Sequence, residues 1–340
     1  MKSAAIIGTG LIGTSIGLGL QAKGWEVIGW DHNPKALQAA LERGGLTQAA
    51  TSEAAALAQH RDIVVLACPP AAVEAIVARG EIPWLTIDAC GAKTSIVEAS
   101  QLEHFVGSHP MAGREVSGPE AATESLFNGA TWVIATDHAD AEEIATVEAI
   151  VAELGARPVQ MTAADHDAAV AAISHLPQLI AASLVGLAGD HPEAMNLAAG
   201  SFRDLTRVAG SDPALWLDVL AANRDHVLAS LREMQGRLAA AGELLEAGDV
   251  PGLADLLHTS RGVRRSLTAR ATAVRIALAD RPGELAKVGE ALSAAKADVR
   301  DIQLRHAPYG GGGVLTISVR PGDATALTDA IRAAGLMLAE

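Results

Sequence analysis

The sequence predicts an α/β domain with a doubly wound, mostly parallel sheet, then an all-helical domain and an α+β domain with a ferredoxin-like order of elements. Three observations predict these domains, which we place at residues 1–162, 163–270 and 271–340. Strand and helix patterns alternate in the first part, strand patterns vanish in the second, and strands return with two helices in the third. A chain of 340 residues has room for two or three domains of the usual ~100–200 residues.

The first part begins with a strand at residues 3–8, a glycine-rich turn, a helix from about Leu11 to Ala22 and a strand that ends at Asp31. Further apolar runs of strand length follow at residues 63–67, 85–88, 105–107 and 131–134. A helix over 141–154 and a short strand near 158–159 complete the domain. Strands joined by helices in this way form a mostly parallel sheet with helices on both faces.

The second part is rich in Ala and Leu at helical spacing, over residues 167–187, 213–246 and 251–268. Both residues are strong helix formers, and Asp212-Pro213 and Asp249-Val250-Pro251 supply helix start signals. Helices as apolar as these are not expected to stand alone in water. We therefore expect them to pack against a second copy of the chain in a homodimer.

The third part predicts six elements in the order β-α-β-β-α-β, which is ferredoxin-like. They are a strand over 273–278, a helix over 283–294, strands over 299–305 and 314–319 joined by a hairpin turn at Gly310–Gly313, a helix over 324–334 and a last short strand.

The composition of the chain argues against several classes of function. A formal charge of −14 argues against a nucleic-acid partner, because binding phosphates requires clustered Lys and Arg. No uninterrupted apolar run approaches the ~18 residues of a membrane span, and glycines interrupt the apolar N-terminus, which we interpret as a strand and not a signal peptide. Two cysteines, Cys68 and Cys90, are too few for a disulfide framework, which favours the reducing cytoplasm. No cluster of His, Cys, Asp and Glu has metal-ligand spacing, so no metal is expected.

A G-x-G-x-x-G pattern lies between the first strand and the first helix: Gly8, Thr9, Gly10, Leu11, Ile12 and Gly13. In this context it is typical of a Rossmann-type dinucleotide-binding turn, where the first glycine permits the tight turn, the second lets the backbone approach the pyrophosphate and the third allows close helix–strand packing. Asp31, at the end of the next strand, would accept hydrogen bonds from the ribose and repel a 2′-phosphate, so we predict NAD as the cofactor. Pro69 follows a later strand and would flank the cofactor, with a purely structural role as the alternative.

A dehydrogenase also needs a base for the hydroxyl proton of its substrate, and His109 is the candidate. It follows another strand end, at the carboxyl edge of the sheet, and an unperturbed imidazole titrates near neutrality. We predict His109 as the catalytic residue, with a structural or solvated histidine as the alternative.

No lysine occurs between Lys93 and Lys287, so the helical domain cannot supply the catalytic lysine that dehydrogenases of the β-hydroxyacid type place there. An anionic substrate must instead meet arginine, whose planar fork pairs with carboxylates. Arg203 and Arg207 are one helical turn apart and could face one site. The alternative is an exposed pair with Asp204.

Together these segments resemble the prephenate dehydrogenase family over about residues 1–268. The matching motifs, in the family's order, are the Gly8–Gly13 loop, Asp88 to Lys93, His109 to Gly113 with Glu115, Ser117-Gly118, Leu126-Phe127, Ser174-His175-Leu176-Pro177, Phe202 to Arg207, Ser211-Asp212-Pro213 and Trp216.

The resemblance implies an NAD-dependent oxidative decarboxylation of prephenate to 4-hydroxyphenylpyruvate in tyrosine biosynthesis. By position, His109 would take the proton of the ring C4 hydroxyl, Arg207 would bind a substrate carboxylate, His175 would line the same pocket and Glu115 would organise polar contacts at its mouth. Aromatisation drives the loss of CO2, so the protein needs mainly to orient the substrate and hold its charges.

Two positions depart from the family pattern. Members commonly carry a serine that supports the catalytic histidine where this chain has Gly91; Ser95 or a water molecule could replace that support. The usual His-Leu-Pro-His also ends in Gln178 here.

The tail from about Ala273 resembles an ACT domain, a regulatory module that binds amino acids. Its first strand-to-helix loop matches a segment that contains Asp280, Pro282, Gly283 and Leu285. The resemblance implies feedback inhibition by tyrosine. A dimerisation module that binds nothing is the alternative.

Two other functions stay open from the sequence. An arogenate dehydrogenase would perform the same chemistry on an amino-acid side chain in place of the keto acid. A non-catalytic NAD-binding sensor, suggested by Gly91 and the ACT-like tail, would bind the cofactor without turnover.

Overall fold

The computed structural model describes residues 1–113, 118–211, 213–268, 271–306 and 312–339. The chain divides into two compact units, Met1–Gly236 and Arg237–Glu340. The predicted division into three domains stays a prediction.

The first unit contains a six-stranded parallel sheet with the strand order β3-β2-β1-β4-β5-β6. Its strands are β1 (Ser3–Ile7), β2 (Glu26–Trp30), β3 (Gln48–Ala49), β4 (Ile63–Leu66), β5 (Thr86–Asp88) and β6 (Phe105–Val106). The connecting helices are α1 (Leu11–Gln21), α2 (Pro34–Glu42), α3 (Glu53–Leu57), α4 (Pro70–Val77) and α5 (Thr94–Ala99). The strand order reverses between β1 and β4, which places a crevice at their carboxyl ends, where such sheets bind ligands. The predicted Rossmann-type sheet is confirmed.

Both faces of this sheet are covered, as the apolar strands β1 and β4 predict. Ile6 and Val65 pack into one buried cluster, while Ile7 and Val64 pack into the cluster on the other face. Successive side chains of a strand point to opposite faces, so continuous apolar runs are what a doubly covered sheet requires.

A second, three-stranded sheet follows, formed by β7 (Ser108–Pro110), β8 (Thr131–Ala135) and β9 (Arg157–Met161), with α6 (Ala141–Glu153) between the last two strands. β7 and β8 are antiparallel. From the sequence, the runs at 131–134 and 158–159 were assigned to the main sheet, which is wrong, and no strand was predicted at 108–110. The chain leaves the main sheet at Gly107, where a β-carbon would lie only 2.9 Å from Cγ2 of Val97.

Helices make up the rest of the first unit. They are α7 (Ala163–Val170), a π-helical turn (Ala171–His175), α8 (Leu176–Gly189), α9 (Pro192–Met195), α10 (Gly200–Thr206), a 3₁₀ turn (Arg207–Gly210), α11 (Pro213–Ala222) and the beginning of α12 (Arg224–Glu246). The helix predicted over 213–246 is thus two helices, interrupted at Asn223, whose buried side chain bonds to the backbone of Asp167.

Residues 163–189 are helical throughout, and by length and composition this segment would suffice for a membrane span. The sequence analysis missed this because Ser174, His175 and Gln178 interrupt the apolar run. The segment also carries His166 and Asp167, which are fully buried and hydrogen-bonded. These two residues anchor its first part in the first unit, while apolar side chains farther along, such as Ile173, are exposed.

The second unit contains the end of α12, then α13 (Val250–Thr268), β10 (Thr272–Leu278), α14 (Glu284–Ala295), β11 (Val299–His306), β12 (Gly313–Val319), α15 (Ala324–Ala333) and β13 (Met337–Leu338). Its four strands form an antiparallel sheet in the order β11-β12-β10-β13. Ile276, Ile317, Leu327 and Ile331 are fully buried between the sheet and α14 and α15. Of the predicted turn at Gly310–Gly313, the first two residues lie outside the described residues.

Candidate active site

The glycine-rich loop connects β1 to α1 and leaves space only at its middle glycine. Gly8 has φ +95°, and a β-carbon on it would lie 2.5 Å from the carbonyl oxygen of Ala67. At Gly13 a β-carbon would lie 2.0 Å from the Gly8 carbonyl oxygen, whereas at Gly10 it would meet nothing within 4 Å. The outer glycines are therefore required by packing, and the middle one leaves the backbone open to a ligand.

Asp31 at the end of β2 fixes this loop. One of its carboxylate oxygens accepts hydrogen bonds from the Thr9 backbone N–H (2.6 Å) and hydroxyl (3.1 Å). Asp31, Gly8 and Gly10 line a cavity of about 590 Å³, together with Pro69. A cavity of this size at the strand-order reversal is suited to a dinucleotide half with its ribose at the carboxylate.

A second cavity of about 380 Å³ lies at the catalytic candidate. Its walls come from Ile12 of α1, from loops that follow β5 and β7, from the π-helical turn and from α11. The residues are Ile12, Ala89, Gly91, His109, Pro110, Met111, Ala112, Gly113, Ser174, His175, Trp216 and Val219. The structure therefore brings His109 and His175 to one cavity, as the sequence analysis expected.

His109 begins a buried hydrogen-bonded chain that the sequence analysis did not foresee. Its Nδ1 lies 2.9 Å from Nε2 of His166, and Nδ1 of His166 lies 2.8 Å from Oδ1 of Asp167. The Asp167 carboxylate also accepts the backbone N–H groups of Lys93 and Thr94, both at 2.8 Å. The chain joins α7 to the start of α5.

A buried ion pair lies beneath the same loops. The Lys93 ammonium pairs with the Asp88 carboxylate, and neither side chain is exposed. The other oxygen of Asp88 accepts the Ser108 backbone N–H at 2.9 Å, while the Ser108 hydroxyl donates to the Asp88 carbonyl at 2.6 Å. Asp88 thereby fixes the residue that precedes His109.

His175 is held by Asn223, at the junction of α11 and α12. The Asn223 amide nitrogen donates to the carbonyl of Asp167 at 2.8 Å and lies 3.2 Å from Nδ1 of His175. Because the carbonyl can only accept, the orientation of the amide is fixed, and Nδ1 of His175 is the acceptor. A neutral His175 then carries its proton on Nε2.

Burial sets the charge of these histidines. Burial lowers the pKa of His109 well below 6.5, and electrostatic interactions with His166, Lys93 and His175 lower it further, while Asp167 opposes them. Burial likewise lowers the pKa of His175 to about 4. Burial alone would raise the pKa of Asp167, but hydrogen bonds from His166, Thr94 and Lys93 lower it to about 2. At neutral pH both cavity histidines are neutral beside an ionised carboxylate.

Other predicted residues lie elsewhere or outside the described residues. The described residues that line the His109 cavity include neither Arg203 nor Arg207, whose side chains are exposed on α10 and the following 3₁₀ turn. Glu115 lies outside the described residues. Of the two replacements considered for the missing serine, Ser95 does not bond to His109, because its buried hydroxyl has no hydrogen-bond partner among the described residues.

Gly91 does lie beside the catalytic candidate. A β-carbon built on it would be 3.8 Å from both Cε1 and Nε2 of His109 and 3.8 Å from Val219. A serine at this position would therefore fit and reach His109. Its loss leaves His166 as a fixed partner of the ring on the opposite, Nδ1 side.

Sequence reasoning overlooked His166, Asp167 and Asn223. The available signal was a His-Asp pair followed by the apolar run Ala168 to Ile173 at helical spacing. A charged pair on such a helix is expected to be buried only when it has partners.

In the second unit a cavity of about 230 Å³ lies at the loop between β10 and α14. Its lining includes the four predicted regulatory residues, Asp280, Pro282, Gly283 and Leu285. Gly283 has φ +91°, a conformation that favours glycine.

Comparison with known proteins decides the family. Residues 16–160 match the model of the prephenate dehydrogenase nucleotide-binding domain, and residues 162–259 match that of the prephenate dehydrogenase dimerization domain. The chain belongs to the prephenate dehydrogenase family.

Known proteins match this prephenate dehydrogenase family member over most of its length. The probable prephenate dehydrogenase NovF of Streptomyces niveus is 33% identical over 98% of both chains. The structure of prephenate dehydrogenase from A. aeolicus in complex with hydroxyphenyl propionate and NAD+ is 26% identical, with a TM-score of 0.73 over 78% of this chain and 98% of that one. Synechocystis arogenate dehydrogenase is 31% identical, with a TM-score of 0.68 over 78% and 99%.

NAD is the cofactor of this family member, as predicted, and the residues of the glycine-rich loop fit it. Asp31 and Gly10 both line the cavity, and Gly10 leaves open space beside the backbone, as this type of loop requires for a dinucleotide. The chain is therefore an NAD-dependent oxidoreductase and not a non-catalytic sensor.

Proposed function

We propose that this prephenate dehydrogenase family member catalyses the oxidative decarboxylation of prephenate, with His109 as the base. The observation that carries the proposal is the cavity in which His109 and His175 meet between the dinucleotide-binding loop and the helices. Full-length similarity to the probable prephenate dehydrogenase of Streptomyces niveus supports the choice of substrate.

Bound NAD supplies the acceptor for the hydride that leaves C4 of the substrate ring. His109 takes the proton of the C4 hydroxyl on Nε2, so that the C–O bond becomes a carbonyl. The bond between C1 and its carboxylate then breaks, CO2 leaves, and its electron pair makes the ring aromatic. The resulting phenolate oxygen takes the proton back from His109, so the protein ends the cycle unchanged.

His175 is proposed to donate from Nε2 to a substrate oxygen, since Asn223 occupies its other nitrogen. Because burial lowers the pKa of His175 to about 4, it acts as a neutral donor at physiological pH and does not neutralise a carboxylate. Arg207 is proposed to bind a carboxylate. Replacing Arg207 by Ala should then raise KM with little change in kcat.

Arogenate dehydrogenation is the second candidate, favoured by the similarity to the Synechocystis arogenate dehydrogenase. The experiment that separates the two is a steady-state assay of NADH formation with NAD and either prephenate or arogenate. We expect the larger kcat/KM with prephenate. A larger value with arogenate would favour the second candidate, and turnover of neither would overturn both.

The second unit is proposed to act as an ACT-like regulatory module that binds tyrosine and inhibits the enzyme. The cavity lined by Asp280 and Gly283 supports this, because it offers backbone groups and a carboxylate at a strand-to-helix loop. Replacing Asp280 by Ala should weaken tyrosine inhibition at unchanged kcat. Replacing Asp301, an exposed residue of β11 outside this cavity, should leave inhibition unchanged.

We also propose a homodimer. The dimerization-domain match and the exposed apolar side chains of the helices support it, since Leu197 is 81% exposed and Ile173, Leu205 and Leu217 are each about two-thirds exposed. Such side chains are expected to be covered by a partner. Light scattering on the eluted protein should give twice the chain mass.

A further inference from the structure

In the hydrogen-bonded chain from Asp167 through His166 to His109, the donor and the acceptor of each bond can be assigned from the atoms involved. The ionised Asp167 carboxylate can only accept, so Nδ1 of His166 carries a proton. When His166 carries this one N–H, its Nε2 is an acceptor. Nδ1 of His109, 2.9 Å away, must then donate, which leaves the lone pair of His109 on Nε2.

We propose that His166 and Asp167 are positioning residues that hold His109 in the Nδ1–H tautomer and relay its proton during turnover. The inference rests on the proposed function of His109. It assigns a role to two buried residues that do not line the His109 cavity: His166, which contacts His109, and Asp167, which contacts His166.

The relay moves two protons in sequence along hydrogen bonds that already exist. The substrate O–H bond breaks and an N–H bond forms at Nε2 of His109. The Nδ1–H bond of His109 then breaks as an N–H bond forms at Nε2 of His166. The positive charge passes from His109 to His166, and both transfers reverse when the phenolate oxygen is protonated.

The surroundings of the two rings favour this displacement of charge. His109 lies near the buried ammonium of Lys93, which opposes a second positive charge. His166 instead has the Asp167 carboxylate 2.8 Å from its Nδ1, and it is fully buried, where opposite charges attract strongly. A cation is therefore more stable on His166 than on the ring that faces the substrate.

A purely structural role for Asp167 must be distinguished, because its carboxylate also accepts two backbone N–H groups at the start of α5. The split between kcat and NAD affinity provides the distinction. In Asp167→Asn the amide oxygen can keep the Oδ1 position, where it accepts from the Lys93 backbone N–H and from Nδ1 of His166. The tautomer of His109 then persists, but the neutral amide no longer balances a positive charge on His166.

The test is nitrogen NMR of the full-length protein with ¹⁵N-labelled histidine rings, combined with kinetics. In the wild-type protein His109 should show a protonated Nδ1 and an unprotonated Nε2. In Asp167→Asn this pattern should persist, and kcat should fall at least about tenfold, with an unchanged Kd for NAD. The matched control is Glu143→Gln, which alters a carboxylate 2.7 Å from Nδ1 of His104, outside the site, and should change neither.

A second variant keeps the proposal testable if Asp167→Asn does not fold. In His166→Gln the side-chain oxygen can still accept from Nδ1 of His109, so the tautomer should persist, yet the amide cannot carry the proton and kcat should fall at least about tenfold. Wild-type kcat in either folded variant, or a protonated Nε2 in wild-type His109, would overturn the relay. If the tautomers are as expected but neither prephenate nor arogenate is oxidised, the proposed function fails and the tautomer assignment stands.

Discussion

Asp31 and Thr9 are joined by two hydrogen bonds, from the backbone N–H and from the hydroxyl of Thr9 to one carboxylate oxygen. The acid that would bind the ribose therefore also fixes the loop that would bind the pyrophosphate. A change at Asp31 should affect both cofactor selection and cofactor affinity.

The first prediction concerns cofactor choice. The wild-type protein should prefer NAD over NADP by more than about tenfold in kcat/KM, because the carboxylate repels a 2′-phosphate. Asp31→Asn should reduce this preference and raise KM for NAD. The matched control is Asp62→Asn, since Asp62 accepts the N–H and hydroxyl of Ser3 in the same manner away from the cavity. An unchanged preference in Asp31→Asn would contradict the assignment.

The second prediction distinguishes the roles of Gly10 and Gly13 in the glycine-rich loop. Gly10→Ala should unfold at nearly the wild-type temperature, because its β-carbon meets nothing within 4 Å, but should bind NAD more weakly. Gly13→Ala should instead lose stability, because its β-carbon would lie 2.0 Å from a carbonyl oxygen. Thermal unfolding and NAD titration measure the two effects. Normal NAD affinity in Gly10→Ala would count against close approach of the cofactor there.

The third prediction concerns the base. His109→Asn should lower kcat by about 10²–10⁴-fold, the usual contribution of a general base, with the NAD affinity retained. His104→Asn, which removes a histidine paired to Glu143 outside the site, serves as the control. Full activity in His109→Asn would exclude it as the base.

The fourth prediction concerns Gly91. Gly91→Ser should be tolerated, because the new β-carbon makes only 3.8 Å contacts, and a hydrogen bond of about 1 kcal/mol to His109 would keep kcat/KM within about fivefold. Gly91→Val places two methyl groups in the cavity and should raise KM much more. Equal effects of the two substitutions would show that the position does not border the substrate.

The fifth prediction concerns acid stability. The folded protein binds a proton at His175 only near pH 4, whereas the unfolded chain does so near 6.5. The unfolded state therefore takes up more protons between these values, and stability falls as pH drops through this window. Asp167, with a pKa of about 2 against 3.8, adds a loss only below about pH 4.

The melting temperature should therefore decrease between pH 7 and 4.5, and His175→Asn should decrease less steeply. His32→Gln, at a side chain that is 87% exposed, is the control and should follow the wild type. Identical slopes in all three proteins would show that His175 is not the group responsible.

Local sequence patterns were sufficient to predict the first, six-stranded sheet. The strand that ends at Ile7, the glycines and Asp31 are close in sequence, and the periodicity of β1 to β6 follows from burial on both faces. The same reasoning failed for β8 and β9, because apolar runs of strand length do not reveal which sheet a strand joins, and it did not predict the short strand β7. The choice of sheet depends on pairing between residues distant in sequence, such as His109 with Val133.

Part of the candidate active site could also be predicted from local sequence patterns. His109 follows a strand end, so its place at the sheet edge could be inferred. His166 and Asp167 are 57 and 74 residues away from their partners His109 and Lys93, and only packing of α7 against the start of α5 brings them together. Resemblance located His175, but its orientation depends on Asn223 at a helix junction that the periodicity concealed.

Asp167 accepts the backbone amides of Lys93 and Thr94 with the same carboxylate that faces His166. One carboxylate thus both joins α7 to the start of α5 and balances charge at His166. A substitution at residue 167 that alters the chemistry would also disturb the contact between the nucleotide-binding and helical parts. Substitutions among relatives are therefore expected in the cavity wall, as at Gly91, and not at this carboxylate.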